Sequence, residues 1–233
     1  MRGTTRGGRA GQKKQIALSE DNSLNGTGLW KLQINNNLLT DLPPNALAGL
    51  EKTLSILDLS TNNLVRIPKE AIQNLEKLSN LNLAGNKISF LHNDDFRNLE
   101  FPEDSLLQIK DTLQFLDLTG NQIESLNFSS IEYLQNLHYL SLSQNRMFLP
   151  ASGEELQLPK LISLDLSYNI LKEFPTWMAH HLPLSLEELN LANTSLEAIP
   201  TLSACNILVL NLSSNSIQTV EQEGLEQLKK VKH

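Results

Sequence analysis

Cysteine is nearly absent from this chain. Cys205 stands alone among 233 residues, so no disulfide can close within it. Its position between two repeats makes it most simply a small core residue. Long hydrophobic runs are missing too: no stretch reaches eighteen apolar residues, which excludes a membrane-spanning helix. The basic opening runs into Gly, Gln and Lys instead of the apolar core of a secretory leader. Enzyme motifs are lacking as well, with no G-x-S-x-G, P-loop, H-E-x-x-H or C-x-x-C. The expectation is therefore no enzyme, no catalytic residue, no metal and no cofactor. His180 and His181 are adjacent, so their side chains diverge, and they read as a solvated turn.

Positive charge is scarce outside one place. Arg2, Arg6, Arg9, Lys13 and Lys14 put five cations in the first fourteen residues with no acid among them. The remainder holds 14 basic against 26 acidic residues, a net charge of −12. Nucleic-acid surfaces need clustered Lys and Arg, so a nucleic-acid partner is not expected.

What the chain has in abundance is leucine at a fixed spacing. Leu113, Leu116, Leu118, Asn121 and Ile123 form the frame L-x-x-L-x-L-x-x-N-x-L. It recurs around Asn37, Asn62, Asn86, Asn145, Asn169 and Asn215, and once more with Thr194 in the Asn position. Eight copies specify a leucine-rich-repeat solenoid: an α/β horseshoe with short parallel strands on the concave face and a mostly irregular convex side. In L-x-L both leucines face one side of a strand, because strand side chains alternate. Coils must stack to bury that face, and each buried Leu contributes about 1.5–3 kcal/mol. The frame Asn can donate to and accept from backbone groups stranded where the chain turns off the strand. Asn37, Asn62, Asn86, Asn121, Asn145, Asn169 and Asn215 thus read as a structural hydrogen-bond ladder, and Thr194 as a break where the column should loosen.

Between frame positions the spacings are 25, 24, 35, 24, 24, 25 and 21 residues. Periods near 24 indicate an irregular return side. Leu42-Pro43, Ile67-Pro68 and the Phe96-x-x-Leu99 spacing fit an extended or turning backbone there. The eight strands should span about 34 Å of inner face at the usual strand separation. The long gap holds an insertion near 100–111, read as a short helical turn; such an insertion can be a binding loop, and the plainer reading is that its apolar half packs down.

Residues 1–28 read as a disordered basic N-terminus followed by a degenerate coil. Residues 29–233 read as the repeat domain, with eight repeats, the insertion and a truncated ninth beginning at Val231. Capping coils are wanting at both ends, so the chain is expected to be a fragment of a longer protein.

Three coils carry an extra leading apolar residue four positions ahead: Leu50/Leu54, Ile109/Leu113 and Leu182/Leu186. With the L-D-L-S cores, this alternation resembles the extracellular repeat proteins of irregular 24-residue class, and among them the chaoptin-like adhesion proteins of arthropods. The resemblance implies a cell-surface glycoprotein held by a lipid anchor and acting in homophilic adhesion. The expected role is a non-catalytic protein-recognition solenoid, part of a cell-surface adhesion protein or receptor ectodomain. The alternative is a cytoplasmic scaffold binding a protein partner, which suits the lone cysteine.

Four sequons mark Asn25, Asn127, Asn193 and Asn211 as glycosylation candidates. Asn211 would place its glycan mid-strand. Asp58, Asp117 and Asp165 share one strand position, too far apart for a catalytic dyad, and read as framework. Phe115 and Tyr139 occupy the outward position before the second strand leucine of adjacent coils. Tyr168 lies near the rim of the next, and the three read as a protein-binding patch. The competing reading is two rings covering each other on a sheet.

Overall fold

A computed structural model describes residues 24–96, 109–125, 128–153, 156–202 and 206–220. The basic N-terminus, most of the insertion, Asn127, Cys205 and the start of the ninth repeat lie outside the described residues.

A strand of three residues is centred on the first leucine of each L-x-L core. The strands are β1 Lys31–Gln33, β2 Ile56–Asp58, β3 Asn80–Asn82, β4 Phe115–Asp117, β5 Tyr139–Ser141, β6 Ser163–Asp165, β7 Glu188–Asn190 and β8 Val209–Asn211. They pair in parallel and in sequence order, as one eight-stranded sheet. The register carries the sequence frame over without slip, Leu32 to Leu57, Leu81, Leu116, Leu140, Leu164, Leu189 and Leu210. A one-residue slip would turn every leucine outward, so burial of this column specifies the register. The six inner leucines of the row are buried, whereas Leu32 and Leu210, at the ends, are only partly so.

The return side is mostly irregular. Single helical turns occur at α1 Lys69–Ile72, α2 Ile109–Thr112 and α3 Thr176–His180, with a 3-10 turn at Phe128–Ser130. Pro68 and Pro175 immediately precede α1 and α3, where a missing N–H is harmless. The insertion returns through α2, whose Ile109 is buried in the core. Trp177 of α3 packs edge-on against Phe128 and donates its indole N–H to the Pro150 carbonyl at 2.8 Å.

The frame asparagines bind two coils each. Asn121 donates to the carbonyls of Leu118 in its own coil and Leu83 in the preceding one, at 2.9 and 3.0 Å. Its Oδ1 accepts from the Ile88 N–H of the preceding coil at 3.0 Å. Asn62, Asn86, Asn145 and Asn169 repeat this arrangement. Asn37, in the first strand's coil, donates within that coil to Ile34 and Asn35.

At Thr194 the expected loosening does not occur. Thr194 is fully buried, and its hydroxyl donates to the Leu191 carbonyl at 2.8 Å. A threonine hydroxyl reaches its own coil's carbonyl as an amide does, so packing is kept. What it lacks is the amide's second donor and its carbonyl. The Leu171 N–H therefore bonds the main-chain carbonyl of Thr194, at 3.1 Å.

Candidate functional site

The concave face is built from the outward positions of the strands. Just before the central leucine they read Lys31, Ile56, Asn80, Phe115, Tyr139, Ser163, Glu188 and Val209. Phe115 and Tyr139 are register partners, with ring centroids 6.2 Å apart and planes tilted by 43°. That spacing lies within aromatic contact range. Tyr139 remains 45% exposed, and Phe115 is half-buried.

Tyr168 is not on the same row. The register partner of Tyr139 is Ser163, and Tyr168 follows the end of β6 in the turn. It is 55% exposed, and its backbone is left-handed at φ 55°. The same conformation recurs just before the frame position in every coil: Asn36, Thr61, Gly85, Gly120, Gln144, Tyr168, Asn193 and Ser214. The N–H of these residues from Asn36 to Asn193 continues the parallel ladder into the next coil, Tyr168 to Ala192 for example at 2.9 Å. The presence of Gly or Asn at four of the eight positions was the sequence signal for this turn.

The acidic stripe has a framework role. Asp58, Asp117 and Asp165 each accept, through Oδ1, the backbone N–H two residues on, at 2.9–3.0 Å. Asn82, Asn190 and Asn211 do the same at 3.0–3.1 Å. Since an uncharged amide serves equally, the position requires an oxygen and not a charge. Between the strands, Thr119 and Ser141 hydroxyls lie 2.7 Å apart, and Ser143 and Ser167 hydroxyls 2.9 Å. Among the described residues no group of His, Cys, Asp and Glu could hold a metal ion.

Of the sequon residues, Asn25 and Asn193 are exposed. Asn211 lies in β8 with Oδ1 bonded to Ser213, and Asn127 lies outside the described residues. Sequence reasoning missed the apolar groups at the sheet's ends: Trp30 before β1 is 62% exposed, Leu208 and Val209 at β8 are 60% and 55%. It also missed a groove of about 800 Å³ on the flank of coils five to seven, lined by Phe148, Ile170 and Lys172 among others.

Family models described as "Leucine rich repeat" match residues 52–100 and 112–134. Lumican of Gallus gallus is 28% identical over 194 residues, 77% of this chain and 53% of its own length. Toll-like receptor 3 of Bos taurus is 30% identical over 186 residues, 77% of this chain and 20% of that receptor. Chaoptin of Drosophila melanogaster is 43% identical, but over 61 residues, 26% of this chain and 5% of chaoptin. The chain thus spans about half the length of lumican and far less of the other two. In three dimensions the TLR13–ssRNA13 complex has a similar chain, with a TM-score of 0.67, 26% identity and coverage of 84% of this chain and 27% of that one. Among the described residues no helix is long and apolar enough to cross a membrane. From the repeat frame, the parallel sheet and these matches together, the chain is a leucine-rich-repeat protein.

Proposed function

We propose that this chain recognises a protein partner through its concave face, as part of an extracellular or cell-surface protein. The observation that carries the reading is the Phe115–Tyr139 ring pair on adjacent strands, with Phe115 half-buried and Tyr139 exposed. Partner binding to a preformed sheet costs little ordering entropy, and aromatic anchors commonly dominate such contacts. Tyr168 extends the surface to the rim. Protein is favoured over nucleic acid by the net charge of −12 beyond the basic opening, whereas the similar TLR13 chain is in complex with ssRNA13. Relatives of extracellular and cell-surface kind support the location.

The finer reading is homophilic adhesion by a membrane-attached glycoprotein. Its support is the 43% identity with chaoptin over 61 residues and the exposed sequon residues Asn25 and Asn193. Beads coated with the protein test it directly. Wild-type beads should cluster, and beads carrying the folded double variant Phe115→Ala/Tyr139→Ala should not. Undiminished clustering by that variant removes the aromatic pair from the reading. Absence of clustering by wild type removes homophilic adhesion and leaves a different protein partner to be sought with the same variants.

A further inference from the structure

On the flank where the chain leaves the strands, neighbouring coils are stitched by a row of main-chain bonds. The N–H just after each frame position donates to the carbonyl two residues beyond the preceding frame position. The rungs are Asn63 to Leu39, Lys87 to Leu64, Gln122 to Ile88, Arg146 to Ile123 and Ser216 to Leu196, all 2.8–3.0 Å. Among the described residues two rungs are missing: Ile170 to Met147 and Ser195 to Leu171.

Both gaps lie beside the frame's irregular coil. Because Thr194 offers no side-chain carbonyl, the Leu171 and Lys172 N–H groups both bond its main-chain oxygen, each at 3.1 Å. Lys172 is thereby turned into the left-handed region at φ 62°, and the segment from Ile170 departs from the path the other coils follow. The Ile170 N–H is left with no hydrogen-bond partner among the described residues, on a residue 63% exposed.

The flank groove of about 800 Å³ opens at this place. Phe148, Ile170, Phe174 and Ile199 give it apolar walls, and Arg146, Lys172, Glu173 and Glu197 give it two charges of each sign. Its volume is that of a typical small-ligand pocket. A fatty acyl chain would leave the charges and the main-chain donor unmatched, and a nucleic acid would meet two carboxylates. An extended peptide matches all three features. It carries apolar side chains on one face, charges of either sign between them, and a carbonyl to take the orphaned rung.

We propose that the flank groove of coils five to seven is a second binding site, taking a short extended peptide segment whose main-chain carbonyl accepts from the Ile170 N–H. This site is independent of the concave face. Its cause is Thr in place of Asn at position 194, beside which a donor that the regular coils spend on the preceding coil is left free.

The test titrates isotope-labelled full chain with a pool of short, terminally blocked peptides, apolar at alternate positions with Lys or Glu between. The amide signals of Ile170 and Lys172 should shift and saturate, while those of Phe115 and Tyr139 stay in place. Replacing the backbone amides of the same peptides by (E)-alkene isosteres, which removes the carbonyl that accepts from Ile170, should weaken binding about tenfold, the scale of one lost hydrogen bond. Ile170→Arg, a change at an exposed side chain, should abolish the shifts without unfolding the chain. Thr194→Asn should restore the rung and weaken peptide binding by about the same tenfold. The proposal is overturned if the pool leaves Ile170 unmoved, or if the alkene-substituted peptides or a dodecyl detergent alone reproduce the shifts. It is equally overturned if a folded Thr194→Asn chain binds as wild type does. Should that variant fail to fold, the Ile170→Arg and alkene-isostere results decide.

Discussion

The Thr194 hydroxyl and the Asn215 amide oxygen lie 3.1 Å apart, joining the irregular coil to the one after it. Asn215 Oδ1 also accepts from the Thr194 and Leu196 backbone N–H groups, each at 3.0 Å. Its Nδ2 donates back to the Leu191 carbonyl at 2.8 Å. One asparagine thus secures the coil that lacks its own, and a break in the sequence pattern stays local. The cost falls on the other side of Thr194, where coil six loses its regular rungs.

The weight of a two-sided asparagine should be measurable. Asn121→Ala leaves the buried Ile88 N–H without its acceptor and takes one donor each from the Leu83 and Leu118 carbonyls. Orphaning one buried donor and weakening two acceptors should cost about 2–3 kcal/mol. Asn37→Ala removes only donations within its own coil and should cost about 1 kcal/mol. Urea denaturation of the two variants should keep this order. Equal midpoints would mean that the inter-coil bonds carry no stability of their own.

The carboxylate stripe makes a different forecast. Asp117 Oδ1 holds the Thr119 N–H at 2.9 Å, and Asn already serves that position in three other strands. Asp117→Asn should therefore leave the thermal midpoint nearly unchanged. Asp117→Ala should cost about 1 kcal/mol, the net worth of one such hydrogen bond. A large loss in the Asn variant would show that charge at this position has a role the turn geometry does not explain.

The fold was legible because leucine spacing reports burial directly. Two residues at equal distance from paired leucines are neighbours on the sheet, so the row containing Phe115 and Tyr139 follows from the frame alone. The left-handed residue before each frame position was half legible, through Gly85, Gly120, Asn36 and Asn193. Thr61 and Tyr168 hid it, because tertiary bonding holds them where their own preference would not. The consequence of Thr194 was misread as loosening. A pattern shows that a residue differs, but which main-chain bonds are rerouted depends on the path of the neighbouring coil. The flank groove could not be read at all, since it is made by absent rungs and not by any motif.

Asp95 offers a test through pH. Its carboxylate is buried, and desolvation raises its pKa, against the His92 N–H it accepts at 2.8 Å and the nearby His92 and Lys69 charges that lower it. Asp94 adds to the rise. A carboxyl raised in the folded state is protonated more readily there than in the unfolded chain. Its contribution to stability is therefore full at acid pH and is lost as pH rises from the ordinary carboxylate range through the raised value. Asp95→Asn keeps an acceptor for His92 without the charge. Relative to wild type it should melt higher at neutral pH, with the difference vanishing on acidification. A variant that melts lower at neutral pH would show that the ionised carboxylate is stabilising in place.

Tyr168 separates stability from function. A bulky residue held left-handed costs about 1–2 kcal/mol relative to its preferred backbone. Asn tolerates that conformation and already occupies the same turn at Asn36 and Asn193. Because Tyr168 is 55% exposed, little packing is lost by replacing it. Tyr168→Asn should raise stability by up to about 1 kcal/mol, and Thr61→Asn, in coil two, should show a gain of similar sign. The two variants then diverge in binding. If Tyr168 belongs to the contact surface, Tyr168→Asn should reduce clustering of coated beads while Thr61→Asn leaves it intact. A stabilised Tyr168→Asn chain that clusters as well as wild type would confine the contact surface to Phe115 and Tyr139 and leave the strain at the rim without a binding role.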